Sequence, residues 1–194
     1  GNSITVVDAD QILLDDGGVM CWGRDNVGQL GNGDTSDTLH TPSSNVELPE
    51  GRAATDLSVG DHHSCALLDN GSITCWGLNN YGQLGENTTT NRPIPVYAHL
   101  PTGSPAVSVS VGPHSSCAIL ENSSVYCWGH NHFGRLGIGV TGGIYQLPMF
   151  VEGATNVVDL SLDYDHTCAL SENGSISCWG RSKYGPLGIG QSGD

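Results

Sequence analysis

The triplet Cys-Trp-Gly occurs four times, beginning at Cys21, Cys75, Cys127 and Cys178, at intervals of 54, 52 and 51 residues. Such a period constrains the fold strongly, because every unit must build the same supersecondary element and bury its apolar side against a neighbour. It is too long for the common helical repeats. It fits a blade of four strands, each of five or six residues, with their turns. Twenty-eight glycines and only 13% charged residues agree with many short strands joined by tight turns, where glycine supplies the positive φ angles.

Each unit reads as an apolar alternating segment, a turn, a second segment ending in Cys-Trp-Gly, and a Gly-x-Leu-Gly loop. In the second unit these are Leu57-Ser58-Val59, Cys65-Ala66-Leu67-Leu68, Asp69-Asn70-Gly71, Ser72 to Gly77, and Gly82-Gln83-Leu84-Gly85. Period-two alternation around an Asn-Gly turn predicts a β-hairpin. The matching turns are Asp15-Asp16-Gly17, Glu121-Asn122-Ser123 and Glu172-Asn173-Gly174. The matching loops are Gly28-Gln29-Leu30-Gly31, Gly134-Arg135-Leu136-Gly137 and Gly185-Pro186-Leu187-Gly188, with each leucine expected in the core between blades. Proline-bearing segments follow the first three loops, near Pro42, Pro93 and Pro148. Proline cannot donate to a ladder, so these are predicted outer strands. The units run over about 1–50, 51–101, 102–152 and 153–194 of one repeat domain.

Ten residues separate Cys65 from Cys75, Cys117 from Cys127, and Cys168 from Cys178. If Asp69 to Gly71 form a three-residue loop, residues whose numbers sum to 140 face each other, and Cys65 opposes Cys75 at a distance a disulfide can bridge. Three cross-strand disulfides are expected, and with them an oxidising compartment. Zinc sites favour closely spaced pairs such as C-x-x-C, which do not occur here. Cys21 has Gln11 ten residues before it. It is therefore read as unpaired: either a buried thiol or half of a bridge to another chain.

The combination His63-Ser64-Cys65-Ala66-Leu67, Asn70-Gly71, Cys75-Trp76-Gly77 and Tyr81-Gly82-Gln83-Leu84-Gly85 resembles the regulator of chromosome condensation repeat, in a secreted, disulfide-containing form. The likeness covers nearly the whole chain in four copies. It implies an all-β fold, a β-propeller of four-stranded antiparallel blades. Family members typically have seven, so four units make a partial or assembly-completed propeller with an edge to cover. The founding member promotes nucleotide exchange on a small GTPase and docks on chromatin, and secreted relatives include an inhibitor that binds β-lactamases through one propeller face. The acidity, the disulfides and the lack of a basic tail count against the first two roles. No functional residue carries over, because the recurring motif is structural.

Twenty acidic and six basic side chains give a formal charge of −14, with Lys183 the single lysine. Nucleic-acid binding needs a cationic surface, so that class is excluded. No apolar run is long enough for a membrane-spanning helix. His63 and His166 share a repeat position that Ser115 fills in the third unit, which points to a ring hydrogen-bonded to backbone. His130 and His132 are assigned to a loop. Asp8, Asp10, Asp15 and Asp16, with Asp159, Asp163 and Asp165, lack the spacing of a calcium loop and read as solvated turn residues. No catalytic motif and no cofactor or metal site emerges. Sequons at Asn70, Asn87, Asn122 and Asn173 are candidate glycosylation positions. The expected function is a non-enzymatic extracellular or cell-surface interaction module, binding a protein or itself through a propeller face or open edge. A structural subunit of an extracellular filament is the alternative, and a glycan-acting hydrolase, which would need two carboxylates across a cleft, a third.

Overall fold

A computed structural model describes residues 4–8, 11–36 and 40–182; Lys183 and the fourth Gly-x-Leu-Gly loop lie outside these, as does Asp10. Among the described residues fifteen strands form four antiparallel sheets with strictly sequential pairing. Blade 1 comprises β1 (Ile4–Asp8), β2 (Gln11–Leu14), β3 (Val19–Gly23) and β4 (His40–Asn45). Blade 2 comprises β5 (Ala54–Val59), β6 (His63–Leu68), β7 (Ile73–Gly77) and β8 (Arg92–Tyr97). Blade 3 comprises β9 (Ala106–Val111), β10 (Ser115–Leu120), β11 (Val125–His130) and β12 (Ile144–Phe150). Blade 4 has three strands among the described residues, β13 (Val157–Leu162), β14 (His166–Ser171) and β15 (Ile176–Gly180). The first strand of each blade packs near the first strand of the next, so these strands line the axis. The proline-bearing β4, β8 and β12 lie outermost in their sheets.

The hairpin between the second and third strands sets the register. In blade 2 Leu68 and Ser72 close the loop, with Leu68 N–H donating to Ser72 O at 2.9 Å, and Gly71 takes φ +74°. Ser123 adopts the same left-handed conformation at φ 64°, so the third turn keeps the shape without glycine. Cys65 then pairs with Cys75, Cys117 with Cys127 and Cys168 with Cys178. Each pair is disulfide-bonded across Cα atoms 4.1 Å apart. Cys21, opposite Gln11, is a fully buried thiol, a position closed to a bridge with another chain.

Three apolar clusters hold the blades together, one at each junction, and all follow one recipe. At the junction of blades 2 and 3, Cys65, Leu67, Ile73, Cys75 and the loop Leu84 meet Ala106, Val109, Ala118 and Trp128. At the next, Cys117, Ile119, Val125, Cys127 and Leu136 meet Val157, Leu160 and Ala169. A hydrogen-bonded latch accompanies each cluster. The indole Nε1 of Trp76, Trp128 and Trp179 donates to the carbonyl of Gln29, Gln83 and Arg135 in the preceding blade, at 3.0, 2.7 and 2.8 Å. Ser116 and Thr167 hydroxyls donate to the Gln83 and Arg135 carbonyls as well. The last glycine of each Gly-x-Leu-Gly loop is required here: a Cβ on Gly31, Gly85 or Gly137 would lie within 3 Å of the next blade's indole.

Candidate interaction face

Because strands alternate in direction, the turns fall on two opposite faces. One carries the tight hairpins, with Asn70, Asn122 and Asn173 exposed at their tips. Each of these side chains accepts a hydrogen bond from the backbone N–H two residues on, at 3.0, 3.1 and 2.9 Å, which shapes the turn. The other face carries the turns between the first and second strands and the long loops after the third. Asn87 is exposed there, at φ 65°.

That second face holds a belt of rings spanning blades 2 to 4. Tyr81 stacks on His130 with centroids 4.4 Å apart and meets His114 edge-on at 5.1 Å. His114 meets Tyr164 edge-on at 5.6 Å, and His130 stacks with His132, which contacts Phe133. Arg181 lies 4.3 Å over the Phe133 ring. The Tyr164 hydroxyl donates to Asp61, joining blade 4 to blade 2 across blade 3. Beneath the belt, buried Arg135 reaches Asp165 at 3.2 Å, and Arg181 reaches the other oxygen of the same carboxylate at 3.3 Å.

The electrostatics follow from this packing. Burial, reinforced by the Arg135 cation, lowers the pKa of both His114 and His130 and so favours their neutral forms. The hydrogen bond to Asp61 raises that of Tyr164. Burial lowers the Arg135 pKa, against the opposing pull of Asp165.

Several sequence-level assignments are corrected here. His63 contacts a side chain rather than backbone: its Nε2 lies 2.9 Å from Ser116 Oγ in the next blade. Ser116 gives its one hydroxyl proton to Gln83 O, so Nε2 is the donor in this pair. His166 is only half-buried, with Nδ1 3.9 Å from Asp163. His130 ends β11 instead of lying in a loop, and only His132 belongs to the short 3-10 turn His132–Gly134. Asp159 lies in β13, its carboxylate capping the Leu160 N–H, and Asp165 is the shared anion of two arginines. No group of three or more metal-ligating side chains occurs among the described residues. Gln11, noted only as a missing cysteine, donates to Ser64 Oγ at 2.5 Å and ties blade 1 to blade 2.

The belt itself escaped sequence reasoning because His114, His130 and Tyr164 break the repeat, while Tyr81 and Phe133 sit at a repeated aromatic position. His62, His114 and Asp165 occupy one position in three blades, next to the framework residues His63, Ser115 and His166. Divergence at a position flanked by repeated ones was the available signal.

Models of the regulator of chromosome condensation (RCC1) repeat match residues 16–67, 70–119 and 122–170. The chain belongs to the RCC1 repeat family. Each matched window joins the outer two strands of one blade to the inner two of the next, so an RCC1 repeat crosses a blade junction. The ultraviolet-B receptor UVR8 of Arabidopsis thaliana is 30% identical over 91% of this chain and 40% of its own length. Human E3 ubiquitin-protein ligase HERC2 is 29% identical over 90% of this chain and 4% of its own. The chain thus spans less than half of either relative. Among solved structures, human WBSCR16 superposes with a TM-score of 0.84 at 24% identity, over 99% of this chain and 51% of that one. Yeast RCC1 (Prp20), solved bound to Kap60, superposes with a TM-score of 0.81 at 21% identity, over 100% and 47%.

Proposed function

We propose that this chain is a non-enzymatic, extracellular protein-interaction module that binds a protein partner through the ring-lined loop face. The observation that carries this reading is the belt from Tyr81 to Tyr164. It brings together side chains from three blades that are partly exposed and held in fixed mutual orientation by the rigid blades beneath, and His114, His130 and Tyr164 among them diverge from the repeat. Partly exposed aromatic side chains supply contact area at small entropic cost, the property that enriches them at protein interfaces. The yeast structure with Kap60 bound supports a binding role for such propellers. A net charge of −14 argues against a nucleic-acid partner. Three disulfides among the described residues support an oxidising, extracellular setting. Glycans at Asn70, Asn122 and Asn173 would crowd the hairpin face, whereas the loop face carries one exposed sequon, Asn87.

A photo-crosslinking side chain tests this. Placed at His132 on the loop face, it is expected to trap one saturable species in the extracellular fluid, competed by unlabelled protein and lost when Tyr81 and Tyr164 are both changed to Ala. Placed at Asn122 on the hairpin face, it is expected to trap none. Equal trapping at both positions sinks the proposal.

A further inference from the structure

The junction of blades 3 and 4 departs from the shared recipe at its hairpin-face end. Backbone hydrogen bonds from Val46, Ala98 and Val151 to the Val19, Ile73 and Val125 carbonyls mark equivalent starts for the three connectors between blades. Two residues on, Leu48 and Leu100 pack against their junction clusters, but the third connector has Gly153 there. A Cβ on Gly153 would meet nothing within 4 Å. That connector is also two residues shorter before the next blade begins at Val157. On the sheet, Ser171 lies opposite Val157, where Leu68 lies opposite Ala54 and Leu120 opposite Ala106, and both leucines are buried. Ser177 lies opposite Ala169, where Tyr126 lies opposite Ala118. Leucine, leucine and tyrosine in one junction thus become glycine, serine and serine in the next.

The volume they vacate is a pocket of about 340 Å³ between the connector and the sheet of blade 4. Ala169, Ser171, Ser177 and Trp179 line it from the side of the sheet turned toward blade 3, alternating with Cys168, Leu170, Ile176 and Cys178 on the other side. The pocket therefore belongs to an internal junction. Val151, Val157, Ala169 and the Trp179 ring supply its apolar lining, and Thr155, Ser171, Ser175 and Ser177 bring four hydroxyls. Trp179 Nε1–H is already given to the Arg135 carbonyl, so the indole offers ring surface rather than a donor. Ser171 Oγ donates to Thr155 O at 3.2 Å, which leaves its lone pairs free to accept.

This lining selects a ligand class. A hydroxyl both donates and accepts, so four of them match a ligand whose own polar groups do both. No lysine, arginine or histidine lines the pocket among the described residues, and Glu152 does, so an anion is repelled. One carboxylate in the lining gives no pair for glycoside hydrolysis. The volume is near the lower limit for small-molecule sites. We propose that this pocket binds a neutral pyranose, its C–H face against the Trp179 ring and its hydroxyls on the serines. The site lies toward the hairpin face and stands independently of the ring belt.

Saturation-transfer NMR tests this with the methyl glycosides of glucose, galactose, mannose and N-acetylglucosamine, after enzymatic removal of any N-linked glycans from the protein. At least one is expected to receive saturation at its ring C–H protons. Ser171→Leu and Ser177→Tyr restore the residues of blade 3, and each is expected to abolish the transfer with the circular dichroism spectrum unchanged. Ser171→Leu is also expected to raise the melting temperature, because it fills the cavity. His132→Ala, on the opposite face, is expected to keep the transfer. A trisaccharide ending in the residue that binds distinguishes a glycan terminus, which binds as well as the methyl glycoside, from a free monosaccharide, whose site rejects the longer chain. Absence of transfer to all four glycosides overturns the proposal, and so does transfer that survives both serine variants. Equal binding of methyl glucuronide or of Nα-acetyl-lysine amide overturns it too, since the pocket would then not select a neutral sugar.

Discussion

His63 illustrates how one side chain couples blade geometry to pH. The ring is fully buried between blades 2 and 3, donates from Nε2 to Ser116, and leaves Nδ1 without a partner. Burial, with a smaller contribution from His114 and His62, pushes its pKa from the usual 6.5 down to about 3. The folded state therefore holds the ring neutral, while the unfolded chain takes up a proton below the usual value. Because the unfolded state binds more protons between these two values, stability is complete above the upper one and falls as the pH drops toward the lower. The slope from this group approaches about 1.4 kcal/mol per pH unit. Urea unfolding of wild type and His63→Gln at about pH 6 and about pH 4.5 checks this. The variant is expected to lose stability at both, and to lose distinctly less than wild type between them. Equal losses between the two conditions would show that His63 is not the acid-sensitive group. His114 and His130, also lowered, move stability in the same direction and remain in both proteins.

The hairpin and its junction are the element at which sequence and structure correspond most closely. Gly71 and Gly174 share a turn position and φ values of 74° and 82°, but only Gly71 is pressed by the next blade. Gly174→Ala is expected to cost about 1 kcal/mol, from the left-handed backbone alone. Gly71→Ala adds a clash with Pro105 and is expected to cost about 2–4 kcal/mol. Thermal unfolding of the dilute proteins measures the difference, and equal costs would mean that the junction yields freely. The ten-residue cysteine spacing, the Asn-Gly turns and the Gly-x-Leu-Gly leucines were readable because they serve one junction geometry and so recur. Gln11 was not, since its reach to Ser64 depends on how two blades are placed, which no local pattern encodes. The ring belt was hidden for a related reason. Tyr81, His114, His130 and Tyr164 come from three blades and meet only once the fold has brought their loops to one face. His130 was misplaced because a strand that continues past Trp-Gly in blade 3 alone leaves no periodic trace.

Among the described residues burial grades from blade 2 to blade 4, since blades 2 and 3 each pack against a described blade on both sides and blade 4 against one. The disulfides record this gradient. Cys65–Cys75 and Cys117–Cys127 are inside junction clusters at 0% exposure, and a reductant reaches either only when a junction opens. Cys168–Cys178, in blade 4, is half-exposed. Thiol–disulfide exchange requires a thiolate to approach a sulfur, so access controls the order of reduction even where the three loops have equal length. In dilute protein, graded dithiothreitol followed by alkylation and peptide mapping is expected to label Cys168 and Cys178 first. The other four cysteines should then react together with the loss of the folded circular dichroism signal. Each bridge closes a loop of similar size, worth roughly 2–3 kcal/mol by chain entropy. Loss of the outer one should therefore lower the melting temperature without unfolding the protein, because blade 4 remains anchored to blade 3 by Trp179 and Thr167 on the Arg135 carbonyl. Simultaneous labelling of all six cysteines would mean that the blades open as one cooperative unit, with junction burial having no part in protecting the inner pairs.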